Sequence, residues 1–241
     1  MSLGGMALTE FAPGLWLKGL TPPLHWQDYK LIAFDMDSTL INIECIDEIA
    51  DAAGRKAEVA AITEAAMRGE ITDYKDSLRR RVALLQGVSV QAMREVLTQR
   101  LALNPGAEIL VRACQQAGLV TLLVSGGFTF FTDHVQSMLG IDHVRSNVLE
   151  VIDGHLSGRM VDQAWGDICD GEEKRRMLLA TCTAMGITPQ QAIAMGDGAN
   201  DLPMMSVAGL AVAYHAKPKV RAAAHVAIDQ GGLDRLLALF V

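Results

Sequence analysis

The sequence predicts an α/β protein: a doubly wound parallel sheet with a helical-bundle cap inserted into it. Three observations predict this class. Short apolar runs alternate with helical patterns along most of the 241 residues, the signature of a parallel sheet covered on both faces. Three of those runs end in polar loops, two of them rich in glycine. The stretch Ile43 to Leu101 breaks the alternation, because it carries helical patterns only.

The elements follow in order. Leu31-Ile32-Ala33-Phe34 is too short for a helix and reads as a buried strand ending at Asp35. From Ile43 the texture turns to Ala, Glu, Arg, Leu and Gln, and Ile46, Ile49, Ala50 and Ala53 recur at helical spacing. Gly54, Gly69 and Gly87 punctuate it into about four helices. Asn104-Pro105 reads as a helix start, with Asn as the cap, and Gly118 as its end. Leu119 to Val124 is the second buried run; it leads to Ser125-Gly126-Gly127 and a helix from about Phe130. Val144 to Val151 and Leu156 to Val161 read as strands joined at Asp153-Gly154. Glu172 to Met185 is helical. Ala192 to Met195 is the third run, ending at Gly196-Asp197-Gly198. Leu210 to Ala213 and Val226 to Ile228 are further strands, and Leu233 to Phe240 a closing amphipathic helix. The expected division is a core of residues 28–41 and 103–241, a helical cap of 42–102, and an N-terminal extension, 1–27, with no role assigned. The first six residues, MSLGGM, are set aside.

Composition narrows the function. Half the chain is hydrophobic and the net charge is -7, so disorder is excluded. No apolar run approaches the roughly 18 residues of a membrane span, and no basic-then-apolar leader opens the chain. The acidic balance argues against binding nucleic-acid backbone. Cys45, Cys114, Cys169 and Cys182 form no C-x-x-C pair, and the histidines show no ligand spacing. The thiols are expected to be reduced and the protein cytoplasmic.

In an open parallel sheet the ligand site lies at the carboxyl ends of the strands. Asp35, Ser125 and Asp197 are therefore expected to converge. In Asp35-Met36-Asp37-Ser38-Thr39 one carboxylate can attack phosphorus and the other can protonate a leaving oxygen. Ser125 and the following glycine amides can cradle an anion. In Gly196-Asp197-Gly198-Ala199-Asn200-Asp201, hard oxygens suit Mg²⁺, and no glutamate closes an EF-hand. Each loop alone also reads as an ordinary turn.

Together, Asp-x-Asp-x-Thr, then Ser-Gly, then Lys174, then Gly-Asp-Gly-x-x-x-Asp resemble the haloacid dehalogenase superfamily. The resemblance implies Asp35 as nucleophile and Asp37 as general acid and base. It implies Ser125 and Lys174 as phosphate-holding residues and Gly126 and Asn200 as further substrate-binding residues. Mg²⁺ would be held by Asp35, the Asp37 carbonyl and Asp197, with Asp201 supporting them. Glu44, Ile46-Asp47-Glu48-Ile49-Ala50, Ser77-Leu78-Arg79-Arg80-Arg81-Val82 and Val124-Ser125-Gly126-Gly127-Phe128 are similar to the phosphoserine phosphatase family within it. That likeness implies Glu44 for the substrate ammonium and Arg81 for its carboxylate, with hydrolysis of O-phospho-L-serine as the reaction and the last step of serine biosynthesis as its setting. Met67 and Tyr74 are candidate pocket-lining residues, and the Asp153-Gly154 hairpin resembles the family's small flap. Longer members carry a regulatory domain ahead of the core; with some 30 residues before the first strand, none is expected here. The stretch Asp162 to Gly171 lies outside the motif match. A homodimer stays open. So do transfer of phosphate to an alcohol such as homoserine, hydrolysis of another small phosphomonoester and, more distantly, an Asp-phosphorylated signalling receiver. An acidic chain acting on an anion must still supply local positive charge.

Overall fold

The computed structural model describes residues 7–67 and 70–241, the side chains of Ala66 and Met67 excepted. The first six residues, Gly69 and the Met67 side chain considered above lie outside that description. Thr9–Ala12 (β1) and Leu15–Leu17 (β2) form an antiparallel hairpin at one edge of the sheet. The sequence reading placed no element there, since β1 is an edge strand exposed along most of its length and shows no buried apolar run. Leu31–Phe34 (β3) is buried at every residue. Among the described residues four helices follow with no strand between them: Cys45–Ala52 (α1), Lys56–Met67 (α2), Tyr74–Ala83 (α3) and Val90–Gln99 (α4). α1 buries Ile46, Ile49 and Ala50, the one-sided face that their spacing requires. The Asp73 and Ser89 side chains accept from backbone amides in the first turns of α3 and α4, which fixes where those helices start.

The chain then runs through Ala107–Gln116 (α5), Val120–Phe128 (β4), Thr129–Leu139 (α6), His143–Ile152 (β5), His155–Val161 (β6) and Gly171–Met185 (α7). It ends with Ala192–Gly196 (β7), Leu202–Met205 (α8), Leu210–Tyr214 (β8), Pro218–Ala223 (α9), Val226–Ile228 (β9) and a 3-10 segment, Leu233–Leu239. The sheet order is β1-β2-β9-β8-β7-β3-β4-β5-β6. The six strands from β9 to β5 run parallel, and antiparallel strands finish both edges. Alternate residues of the central strands face opposite layers. Ile32, Phe34, Leu123 and Ile193 pack with Leu110 of α5 and Phe131 of α6. Leu31, Ala33, Leu122 and Ala194 pack with Leu178 of α7 and Met204 of α8.

The direction in which successive strands are added to the sheet reverses at β3. From there β4 and β5 step one way, and β7, β8 and β9 the other. The carboxyl end of β3 is thus a topological switch point, where open sheets leave a crevice for ligands. Phe34 pairs in register with Leu123 and with Met195, so the three loops that follow start in one row.

Three local expectations change. Asn104 does not cap α5: Gly106, in a left-handed conformation, precedes it, while the Asn104 side-chain Nδ2 donates to the Thr39 and Ile41 carbonyls. It ties the two ends of the helical insertion together. β4 continues through Ser125-Gly126-Gly127 to Phe128, with a register break after Val124; the glycine loop is therefore a bulged strand end. The closing helix is 3-10, because Leu233, Leu236 and Leu239 are all buried and a spacing of three fits three residues per turn.

The β5–β6 hairpin grips the insertion. Gly87 N–H donates to the Leu156 carbonyl at 2.8 Å, and Val90 N–H to Gly154 at 2.9 Å. Among the described residues no helix is long and apolar enough to cross a membrane, and all four cysteines are free and buried.

Candidate active site

The floor of the site is a buried cluster of charge. Asp35 leaves β3 with its amide still bonded to the Met195 carbonyl. Lys174, in the first turn of α7 and fully buried, donates to Asp35 Oδ1 at 2.6 Å and to Asp201 Oδ1 at 2.7 Å. The stretch Asp162 to Gly171 therefore delivers Lys174 to the centre. Burial alone would depress the Lys174 pKa; Asp201 and Asp35 outweigh it and hold the ammonium charged, well above its ordinary value. Burial and the Asp201 charge push Asp35 up.

Donor accounting separates the clustered carboxylates. One oxygen from each of Asp35, Asp197 and Asp201 lies within 4.8 Å of the others. Asp201 is already spent: Oδ1 accepts from Lys174 and Oδ2 from the Asp197 and Gly198 amides. A Cβ at Gly196 would collide with that carboxyl, so only glycine fits there. Asp35 uses one oxygen on Lys174, and among the described residues the Asp197 carboxylate accepts only a 3.3 Å bond from Thr39 Oγ1. Asp35 and Asp197 thus keep oxygens for the cleft they line. Burial, followed by the Asp201 charge, raises Asp197 to about 6. Two hard carboxylates crowded at a cost that a cation would relieve fit a divalent, oxygen-seeking metal; Asp201 fits a supporting position.

Asp37 lies two residues beyond Asp35, in a turn where Ser38 takes φ 57°. The Cys45 thiol donates to Asp37 Oδ1 at 3.1 Å and the Cys45 amide to Oδ2 at 3.3 Å. Burial, then the nearby Glu44 charge, raises Asp37 to about 7. A carboxyl raised to about 7 can carry a proton near neutrality, and the neighbouring Asp35 is positioned from below by the Lys174 ammonium.

The cleft, about 290 Å³, opens between floor and helices and is lined by Asp35, Asp37, Glu44, Arg81, Ser125, Gly126, Asp197 and Asn200 among others. Of the predicted set, only Lys174 and Asp201 lie beneath it. Glu44 precedes α1 but makes no capping bond; it accepts from Ser38 Oγ at 2.6 Å instead. Of the three neighbouring arginines, Arg79 pairs with Asp167 and Arg80 with Asp76, while Arg81 lines the cleft. The Ser125 hydroxyl accepts from Gly127 N–H at 2.9 Å. Asn147 donates to the Gly126 carbonyl and accepts from the Cys169 amide, both at 2.8 Å. Tyr74 lines the cleft as expected, its hydroxyl filling the place of a Gly126 Cβ.

Sequence reading assigned no role to Cys45, Thr39, Asn147, Asp47 or Lys217. The first three act through contacts that no spacing reveals. Lys217 carried a usable signal, since it follows an apolar run as Asp35, Ser125 and Asp197 do.

The family model of haloacid dehalogenase-like hydrolases matches residues 32–206. A phosphoserine phosphatase of Polaromonas sp. is 74% identical over 97% of this chain and 99% of its own. One of Albidiferax ferrireducens is 69% identical over 96% and 98%. A solved phospho-aspartyl intermediate analogue of phosphoserine phosphatase superposes with a TM-score of 0.80 at 36% identity, covering 88% of this chain and 99% of that one.

Proposed function

The chain belongs to the haloacid dehalogenase-like hydrolase family, and we propose that it hydrolyses O-phospho-L-serine to L-serine and phosphate through a phosphoaspartate. One observation carries the reading: Asp35, Asp37, Glu44 and Arg81 line a single cleft. The first two supply nucleophile and acid. The other two, one of each sign, match the ammonium and carboxylate of an amino acid, and a guanidinium suits a carboxylate bidentately. We assign residues 42–102 as the cap carrying that specificity, and 28–41 with 103–241 as the catalytic core.

An Asp35 oxygen attacks phosphorus with its lone pair. The phosphorus–serine oxygen bond breaks, and its electrons stay on the serine oxygen, which takes the proton from Asp37. Water then attacks the acyl phosphate and gives its proton back to Asp37. The Asp35–phosphorus bond breaks toward Asp35, and both side chains return to their starting states. Lys174 holds Asp35 in place throughout. Ser125, Gly126 and Asn200 hold the phosphate oxygens, and Tyr74 against Gly126 helps keep bulk water out. Asp35, the Asp37 carbonyl and Asp197 would hold Mg²⁺, whose charge, when bound, offsets that of the transferring phosphoryl group. The four buried free thiols support a cytoplasmic enzyme.

Phosphate release from a panel of small phosphate esters, with Mg²⁺ present or chelated and with or without homoserine, tests this. Phosphoserine should be preferred, Mg²⁺ required and homoserine without effect. Transfer to homoserine, or equal rates for esters lacking an amino-acid end, would overturn it.

A further inference from the structure

The cleft has an electrostatic problem. Asp35, Asp37, Glu44, Asp47 and Asp197 all line it, against two cationic side chains among the described residues, Arg81 and Lys217. Lys174 lies below, committed to Asp35 and Asp201. Arg81 has a part in the proposed reaction. Lys217 has none.

Lys217 stands on the core side, three residues past β8 at the carboxyl edge of the sheet. Its main chain is held at several points. His215 adopts a left-handed φ of 44°, a conformation that costs a non-glycine residue about 1–2 kcal/mol. The turn survives because the His215 amide donates to the Ile228 carbonyl at 2.8 Å and the ring Nε2 bonds the Gly231 carbonyl at 2.9 Å. Lys217 N–H donates to the Asp197 carbonyl at 3.1 Å. Pro218 confines Lys217 to extended backbone, φ -61° and ψ 150°, because its ring crowds the residue before it. A strained turn pinned this way points to a positional requirement. The side chain is the opposite: it is exposed, and its ammonium has no partner among the described residues.

We propose that Lys217 is a further substrate-binding residue, whose ammonium meets the phosphate dianion at the mouth of the cleft and draws it past the carboxylates toward Asp35. The inference rests on the phosphatase reading. A solvated ammonium adds little once the substrate is docked, but a fixed positive charge at the mouth of a cleft raises capture, and salt weakens that effect. Lys217 should therefore govern kcat/KM rather than kcat.

The test is initial rates for wild type, K217Q, K217E and K217R on phosphoserine and on p-nitrophenyl phosphate. They are measured at saturating Mg²⁺, from about 20 to about 500 mM salt, with melting curves to confirm folding. K217Q should lower kcat/KM about three- to tenfold at low salt with kcat within about twofold. K217E should lose more, K217R should restore the rate, and the gaps should close at high salt. Equal kcat/KM for wild type, K217Q and K217E at low salt would overturn the proposal. So would a loss in kcat that arginine does not rescue. Wild type acting on p-nitrophenyl phosphate but not phosphoserine would sink the phosphoserine reading alone, and the Lys217 comparison would run on that ester. Wild type acting on neither would overturn both.

Discussion

Two clusters of opposite charge join parts of this molecule, and they sit in different media. Under the cleft, Lys174 lies between Asp35 and Asp201 with its side chain fully buried. At the seam between the helical insertion and the core, Lys75 and Arg79 of α3 reach Asp167 at 2.7 and 2.5 Å, with all three side chains about a third to a half exposed. The distances are alike, but the consequences differ. Buried ions have given up their water, so losing one partner strands the others. At the seam, water replaces a lost partner at little cost. The floor is thus committed on folding, while the ion pairs at this part of the seam can separate at little cost.

The sharpest break of the floor is Asp35→Asn. It should cut turnover by more than about a thousandfold while circular dichroism stays that of the wild type; appreciable activity would remove Asp35 as nucleophile. Next is Lys174→Met, which leaves two buried carboxylates without their ammonium. Urea unfolding should show a loss of about 3–5 kcal/mol, and a loss below about 1 kcal/mol would erase the contrast with the seam. Arg81→Ala tests the wall between the two clusters. It should raise KM for phosphoserine about ten- to a hundredfold, the worth of a hydrogen bond to a charged group, and leave KM for p-nitrophenyl phosphate nearly unchanged.

Asp37 gives a pH-dependent test. Its folded pKa of about 7 lies above the ordinary value of about 4. Between these values the folded chain keeps a proton that the unfolded chain has lost, so stability falls as pH rises through that window. Without Mg²⁺, Asp37→Asn should raise Tm by about 1–4 °C at about pH 8, and by less at about pH 5. An equal gain at both pH values would mean that its ionisation is not resisted. The smallest effect is expected at the seam. Asp167→Asn should change stability by less than about 1 kcal/mol, and salt should shrink that difference further.

The legibility of the site follows the same division. Asp35, Ser125 and Asp197 were readable because each follows a short apolar run, and parallel strands bring such loop starts into one row. Glu44 and Arg81 came from motif resemblance, and position alone could not separate Arg81 from Arg79 and Arg80; their partners do. Asn104 was misread as a cap because cap chemistry and chain-bridging chemistry use the same amide. The β1–β2 hairpin escapes the sequence because its outer strand is exposed and carries no apolar run like those of the buried strands. The closing leucines were read as an α-helix because spacings of three and four both suit an amphipathic face.

The sequence alone determined the order of elements, the insertion after the first core strand and the chemistry offered at each loop. Those depend on local propensity, hydrophobic spacing and residue type. Only the tertiary structure decided which charges are spent and which are free: Lys174 is consumed by two carboxylates, Asp201 by two amides and a lysine, while Lys217 keeps an ammonium with no partner among the described residues at the mouth. The physical reason is that charge balance depends on distance and burial among residues far apart in the chain. A net charge of -7 records the sum and says nothing of its placement.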